Sequence, residues 1–145
     1  MIFPATEAIS EYLQTKGIRC KIDELEDASI IRIPFSGKNV TNIILYLQSR
    51  DDSMAVSIRT MPLARVPEDR TAALLQVLNA CNQKFRYLKF IMNNERDILA
   101  VYDIAAHTSV ENIGPVCEEI LARSMAILDE CHPEIMKAIY AEFVL

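Results

Sequence analysis

LLQVLNACNQKFRYLKFIMNNERDILAVYDI, residues 74–104, changes its hydrophobic period within a few residues, and that change decides the fold. Up to Gln83 the apolar residues recur at helical spacing: Ala73, Leu74, Val77, Leu78 and Cys81 share one stripe. The helix opens at Pro67, with Glu68 and Asp69 in its first turn where they complement the helix dipole. From Lys84 the pattern becomes strand-like, with KFRYLKFIM (84–92) and ILAVYDIA (98–105) bracketing the polar reversal NNERD (93–97). A helix running into a β-hairpin is expected. Cys81 continues the stripe of Leu74, so it is expected to be buried and inert, because apolar surroundings raise a thiol's pKa.

Upstream, Ala5, Ala8, Ile9, Tyr12 and Leu13 follow Pro4 at helical spacing and Gly17 ends the run, which predicts a first helix over 4–17. KIDEL (21–25), SIIRIPFSG (29–37), VTNIILYLQ (40–48) and SMAVSIRTM (53–61) are rich in Ile, Val and Thr and separated by short breakers. They suit three or four antiparallel strands joined as a meander. Downstream, Thr108-Ser109-Val110-Glu111 has the form of a capping box and leads into a stripe through Ile113, Cys117, Ile120, Leu121, Ile127 and Leu128. Pro115 is expected to bend that helix near its start or to force an irregular first turn. Pro133 is expected to break it before a C-terminal segment carrying Ile135, Met136, Ile139, Tyr140 and Phe143. The expected class is α+β, an antiparallel sheet of about five strands with helices on one face, in the order α-β-β-β-α-β-β-α.

A chain of 145 residues with 51% hydrophobic residues suits one domain over 1–145, able to bury its own core without disulfide or metal. Its net charge of −5 and singly scattered Lys and Arg argue against a nucleic-acid partner. MIFPATEAISEYLQTKG has no basic n-region, and IILYL (43–47) is too short to span a bilayer, so no membrane association and a cytoplasmic location are expected. Cysteines at 20, 81, 117 and 131 form no C-x-x-C pair, and His107 and His132 lack second ligands apart from the neighbours Cys131-His132. Reduced thiols and no metal or other cofactor are expected.

The block LLQVLNACNQ, then FRYLKFIM, a polar turn, and ILAVYDI with its terminal Asp103, resembles the YbjN-like family, whose members share the fold of type III secretion chaperones. Asn79 and Asn82 at the helix end match the Asn-containing helix ends of that family. The resemblance spans nearly the whole chain and is carried by soft motifs. It implies a bacterial, non-enzymatic domain, often a homodimer, that handles other polypeptides or serves in regulation, with no catalytic residues to carry over.

Several constellations could still hold chemistry. The run DELED (23–27) offers carboxylates to a hard cation, but strand alternation and a turn would disperse them. Asp103 and His107 are an acid–histidine pair close in sequence, with Cys81 or Ser109 as a conceivable nucleophile, yet no elbow motif accompanies them. Arg59, Arg65 and Arg70 could clamp an anion, although Glu68 and Asp69 beside them suggest local neutralisation. Strand parity places Ile31, Ile33, Leu45, Leu47, Val56, Ile58, Leu88 and Phe90 on one sheet face, the face for the helices. The opposite parity holds Ile30, Ile44, Tyr46, Tyr87 and Ile91 among Arg32, Arg59 and Lys89, the composition of an interaction surface unless the C-terminal segment covers it. Tyr46, Arg59, Tyr87, Lys89 and Ile91 are therefore the candidate partner-binding residues. The expected function is a dimeric protein-binding or regulatory module that holds a peptide or partner protein. The alternatives are a secretion chaperone in the strict sense, or a small-ligand sensor or enzyme using Asp103, His107 or a cysteine.

Overall fold

The computed structural model describes residues 2–50, 55–105 and 112–141. Helix α1 (Pro4–Thr15) is followed by strands β1 (Lys21–Glu24), β2 (Ala28–Phe35), β3 (Ile43–Arg50), β4 (Ala55–Thr60) and β5 (Ala64–Arg65). A 3-10 turn (Glu68–Arg70) leads into α2 (Thr71–Lys84), the hairpin β6 (Lys89–Met92) and β7 (Asp97–Ala105), and α3 (Ile113–Tyr140). The fold is α+β with three helices and one antiparallel sheet. That sheet has seven strands rather than about five.

β1 to β4 form a meander, and β7 joins β4 antiparallel through Arg59↔Val101 to Ala55↔Ala105. Continuing that register would set Pro62 opposite Ile98. Ala64 stands there instead, so two extra residues loop out and the short β5 begins beyond them. This strand has no periodic signal of its own, which is why the sequence pattern does not announce it.

The buried face is built by strict alternation. Ile31, Ile33, Leu45, Leu47, Val56 and Ile58 point to one side and join Ile9 and Leu13 of α1, Leu74, Leu78 and Cys81 of α2, and the long stripe of α3 in one core. α1 and α3 meet closely where Gly114 stands against Tyr12: a Cβ added to Gly114 would lie 2.5 Å from the Tyr12 Cβ. Tyr12 Oη also donates to Glu118 Oε1 at 3.2 Å.

Two expectations about helix ends are corrected. The segment 84–92 is not one strand: α2 runs on to Lys84, and pairing begins only at Lys89. Pro133 does not break the last helix, which continues from Ile113 to Tyr140. A proline within a helix leaves the carbonyl four residues earlier without its N–H partner. Here that carbonyl belongs to Asp129, and Asn39 Nδ2 donates to it at 3.0 Å. Pro115 lies in the first turn, where a missing N–H costs no intrahelical bond, so it does not interrupt the helix. The capping box at 108–111 lies outside the described residues.

Candidate functional site

The sheet face opposite the core carries no helix among the described residues, because the three helices share the core side. Register assigns its residues. Lys21, Arg32, Tyr46, Arg59, Val101 and Lys89 stand in one row across β1, β2, β3, β4, β7 and β6. Asp23, Ile30, Gln48, Ser57 and Asp103 form the next. Since directly opposed residues of an antiparallel pair share a face, these rows are one surface.

Both arginines in these rows are paired with carboxylates. Arg32 Nε lies 2.5 Å from Asp23 Oδ2, and Arg59 Nη1 lies 3.0 Å from Asp103 Oδ1. Arg59 also donates to the carbonyls of Ile58 at 2.9 Å and Tyr102 at 3.3 Å, which pins its guanidinium to the sheet. The apolar part gathers at the β1–β3 end, where Leu25, Ile30, Ile44, Tyr46 and Met61 surround a shallow hollow of about 260 Å³ with Arg32 and Gln48. Met61 is 50% and Leu25 45% exposed, high values for large apolar side chains clustered together. Both are the last residues of the predicted strands KIDEL and SMAVSIRTM, and in the structure each lies one residue beyond the end of its strand.

The five candidate residues do not come together as one patch. Tyr46 and Arg59 are direct neighbours, opposite each other on β3 and β4. Ile91 is exposed on β6, separated from Tyr46 by β4 and β7. Lys89 belongs to the same row, but its Nζ donates to the carbonyls of Asn82 at 2.7 Å and Phe85 at 2.5 Å, capping the end of α2. Tyr87 leaves the face altogether. Its backbone has φ of 77°, which breaks the alternation, and its ring meets Tyr102 edge-on at 5.6 Å with the Arg123 guanidinium of α3 5.5 Å from its centre. Tyr102 stands opposite Ile58 on the core side, so Tyr87 lies there too.

The edges of the sheet differ. At β6, the Asn82 side chain acts as a short strand: the Phe90 N–H donates to Asn82 Oδ1 at 2.8 Å, and Asn82 Nδ2 donates to the Phe90 carbonyl at 3.0 Å. This closes part of that edge. β1 is a four-residue edge strand on the other side, next to the apolar hollow.

The remaining candidates for chemistry disperse. Arg65 forms a two-pronged pair with Asp97 at 3.0 and 3.3 Å, and Arg70 donates to the carbonyls of Ala138 and Ala141 at the end of α3. With Arg59 on Asp103, the three arginines meet separate partners and do not gather into one clamp. Asp103 is exposed and held by Arg59, while His107 and Ser109 lie outside the described residues. Burial pushes the Cys117 and Cys131 thiols up to about 12, and burial likewise raises Cys81, 1% exposed, against the opposing contact of Cys131. Protonated thiols are poor nucleophiles near neutrality. Among the described residues, no group of three or more His, Cys, Asp or Glu is placed to hold a metal ion. No described helix is long and apolar enough to cross a membrane.

Residues 5–132 match the model of the YbjN family, described as "Putative bacterial sensory transduction regulator". The structure is similar to a crystal structure of YbjN, "a putative transcription regulator from E. coli", with a TM-score of 0.58 and 13% sequence identity over 88% of this chain and 91% of that one. At that identity the likeness concerns the fold. A comparison with curated proteins gives no match.

Proposed function

The chain belongs to the YbjN family, and from that premise we propose that it is a non-catalytic regulatory module, dimeric and cytoplasmic, that holds a peptide or partner protein on the open face of its sheet. The observation that carries this reading is the cluster of exposed Leu25 and Met61 with half-buried Ile30, Ile44 and Tyr46, on a face without helices among the described residues. Apolar side chains gathered on a sheet and rimmed by polar groups that already satisfy one another lose little on desolvation and gain from burial. The pairs Arg32–Asp23 and Arg59–Asp103 form such a rim. Tyr46, Arg59 and Ile91 remain partner-binding residues in this reading, with Tyr46 the aromatic anchor. Lys89 acts mainly through α2, and Tyr87 is assigned elsewhere. A bound strand would extend the sheet at β1, because Asn82 occupies part of the β6 edge.

Analytical ultracentrifugation across a dilution series tests the reading. Tyr46→Ala and Met61→Glu are expected to weaken self-association by on the order of 2 kcal/mol, the size of an interface hot spot. Leu75→Glu, at an equally exposed position on α2, serves as the control. Equal dissociation constants for all four proteins would sink the open-face reading.

A further inference from the structure

The chain path between α2 and β6 holds a second site, away from the open sheet face and independent of it. Lys84, Phe85, Arg86, Tyr87, Arg123 and Ile127 line a cleft of about 250 Å³ between the end of α2 and the middle of α3. The floor is apolar, with Ile127 buried and the rings of Phe85 and Tyr87 half-buried. The rim carries three cations on a protein whose net charge is −5.

Two of those cations have carboxylate neighbours, Lys84 with Glu130 at 3.4 Å and Arg123 with Glu119 at 3.0 Å. Both pairs are more than half exposed on each side, so they are weak and readily exchanged. Arg86 is exposed and has no partner among the described residues. Glu134 also acts on Lys84, so Glu119, Glu130 and Glu134 balance the three bases in number, and Arg86 is the cation of the rim that has no carboxylate partner among the described residues.

Tyr87 adds the second independent observation. A bulky residue with φ of 77° is strained, and such strain persists where surrounding contacts over-determine it. Those contacts are with the Tyr102 ring and the Arg123 guanidinium. The result is to take the Tyr87 ring out of the strand alternation and make it a wall of the cleft, with the Arg123 guanidinium 5.5 Å from its centre.

We propose that this cleft binds a small organic anion: a carboxylate or phosphate carried on a single flat apolar ring. The ring lies on Phe85, Tyr87 and Ile127, a volume of about 250 Å³ being sufficient for one ring and little more. The anionic group meets Arg86 directly and draws Arg123 and Lys84 from their exposed carboxylate partners.

The test is a titration of the full-length, nitrogen-15-labelled protein with phenyl phosphate and with benzoate, followed by two-dimensional NMR. Inorganic phosphate and benzyl alcohol supply the charge and the ring separately. Saturable shifts confined to residues 84–87 and 123–127, with half-saturation in the low millimolar range, are expected for at least one of the two aryl anions. Arg86→Gln, at an exposed position, is expected to weaken that binding at least about fivefold. Tyr87→Gly, which suits the left-handed backbone and removes the ring, is expected to lose the preference for the aryl anion over inorganic phosphate. Shifts that stay linear to about 20 mM, an unchanged affinity in Arg86→Gln, or equal binding of benzyl alcohol would each overturn the proposal.

Discussion

Asn39 supplies the hydrogen bond that Pro133 cannot. Its Nδ2 donates to the Asp129 carbonyl, the acceptor that a residue with an N–H at position 133 would have used. The Asp129 side chain answers by accepting from the N–H groups of Asn39 at 2.6 Å and Lys38 at 3.2 Å. Gly37 permits this approach, since a Cβ there would lie 2.5 Å from Asp129 Oδ1. The β2–β3 loop and α3 therefore complete one another's backbone.

The coupling between these residues is measurable. Asn39→Ala is expected to destabilise the fold by about 0.5–1.5 kcal/mol, the net worth of a hydrogen bond whose exposed acceptor water can still reach. Pro133→Ala restores an N–H four residues after Asp129, so in that background the Asn39→Ala cost should shrink to a few tenths of a kcal/mol. Urea midpoints for the two single variants and the double variant give the coupling energy. Strict additivity would show that Asn39 and Pro133 are unrelated.

At the β6 edge of the sheet, Asn82 holds the Phe90 backbone through both the oxygen and the nitrogen of its side-chain amide. Asn82→Ala removes both bonds and bares the β6 edge, so a loss of about 1–3 kcal/mol is expected together with a greater tendency to aggregate. Asn82→Asp keeps the acceptor for the Phe90 N–H but sets a carboxylate against the Phe90 carbonyl, and should fall no higher than Asn82→Ala. Denaturant melts and light scattering provide the two readouts.

Alkaline stability should report on Cys117. Burial raises its thiol from 9.0 to about 12, so the folded state retains a proton that the unfolded chain releases. The sign follows from linkage: this contribution is complete below pH 9 and is lost as pH rises from about 9 to about 12. Full expression of the shift corresponds to about 4 kcal/mol, an upper bound. Comparing melts of the wild type and Cys117→Ala between pH 8 and about 11 isolates it, the wild type losing stability more steeply. Parallel pH profiles would show that the thiol is not so deeply buried.

Periodicity in the chain determined the three helices, the meander and hairpin, and the burial of Cys81, because each of those is set by side chains repeating along one segment. The sheet parity of Tyr46 and Arg59 was legible for the same reason. Other features required the tertiary structure, because they join segments far apart in the chain. Pro133 reads as a break until Asn39, more than ninety residues earlier, is brought to the Asp129 carbonyl. Tyr87 reads as a member of the open face until a left-handed backbone and the neighbours Tyr102 and Arg123 draw it to the helix side. Lys89 reads as a surface cation until the α2 carbonyls come within reach of its Nζ. Local pattern decides which way a side chain faces within an element. Which distant group then meets it, at a chain break or an element's end, is decided by packing.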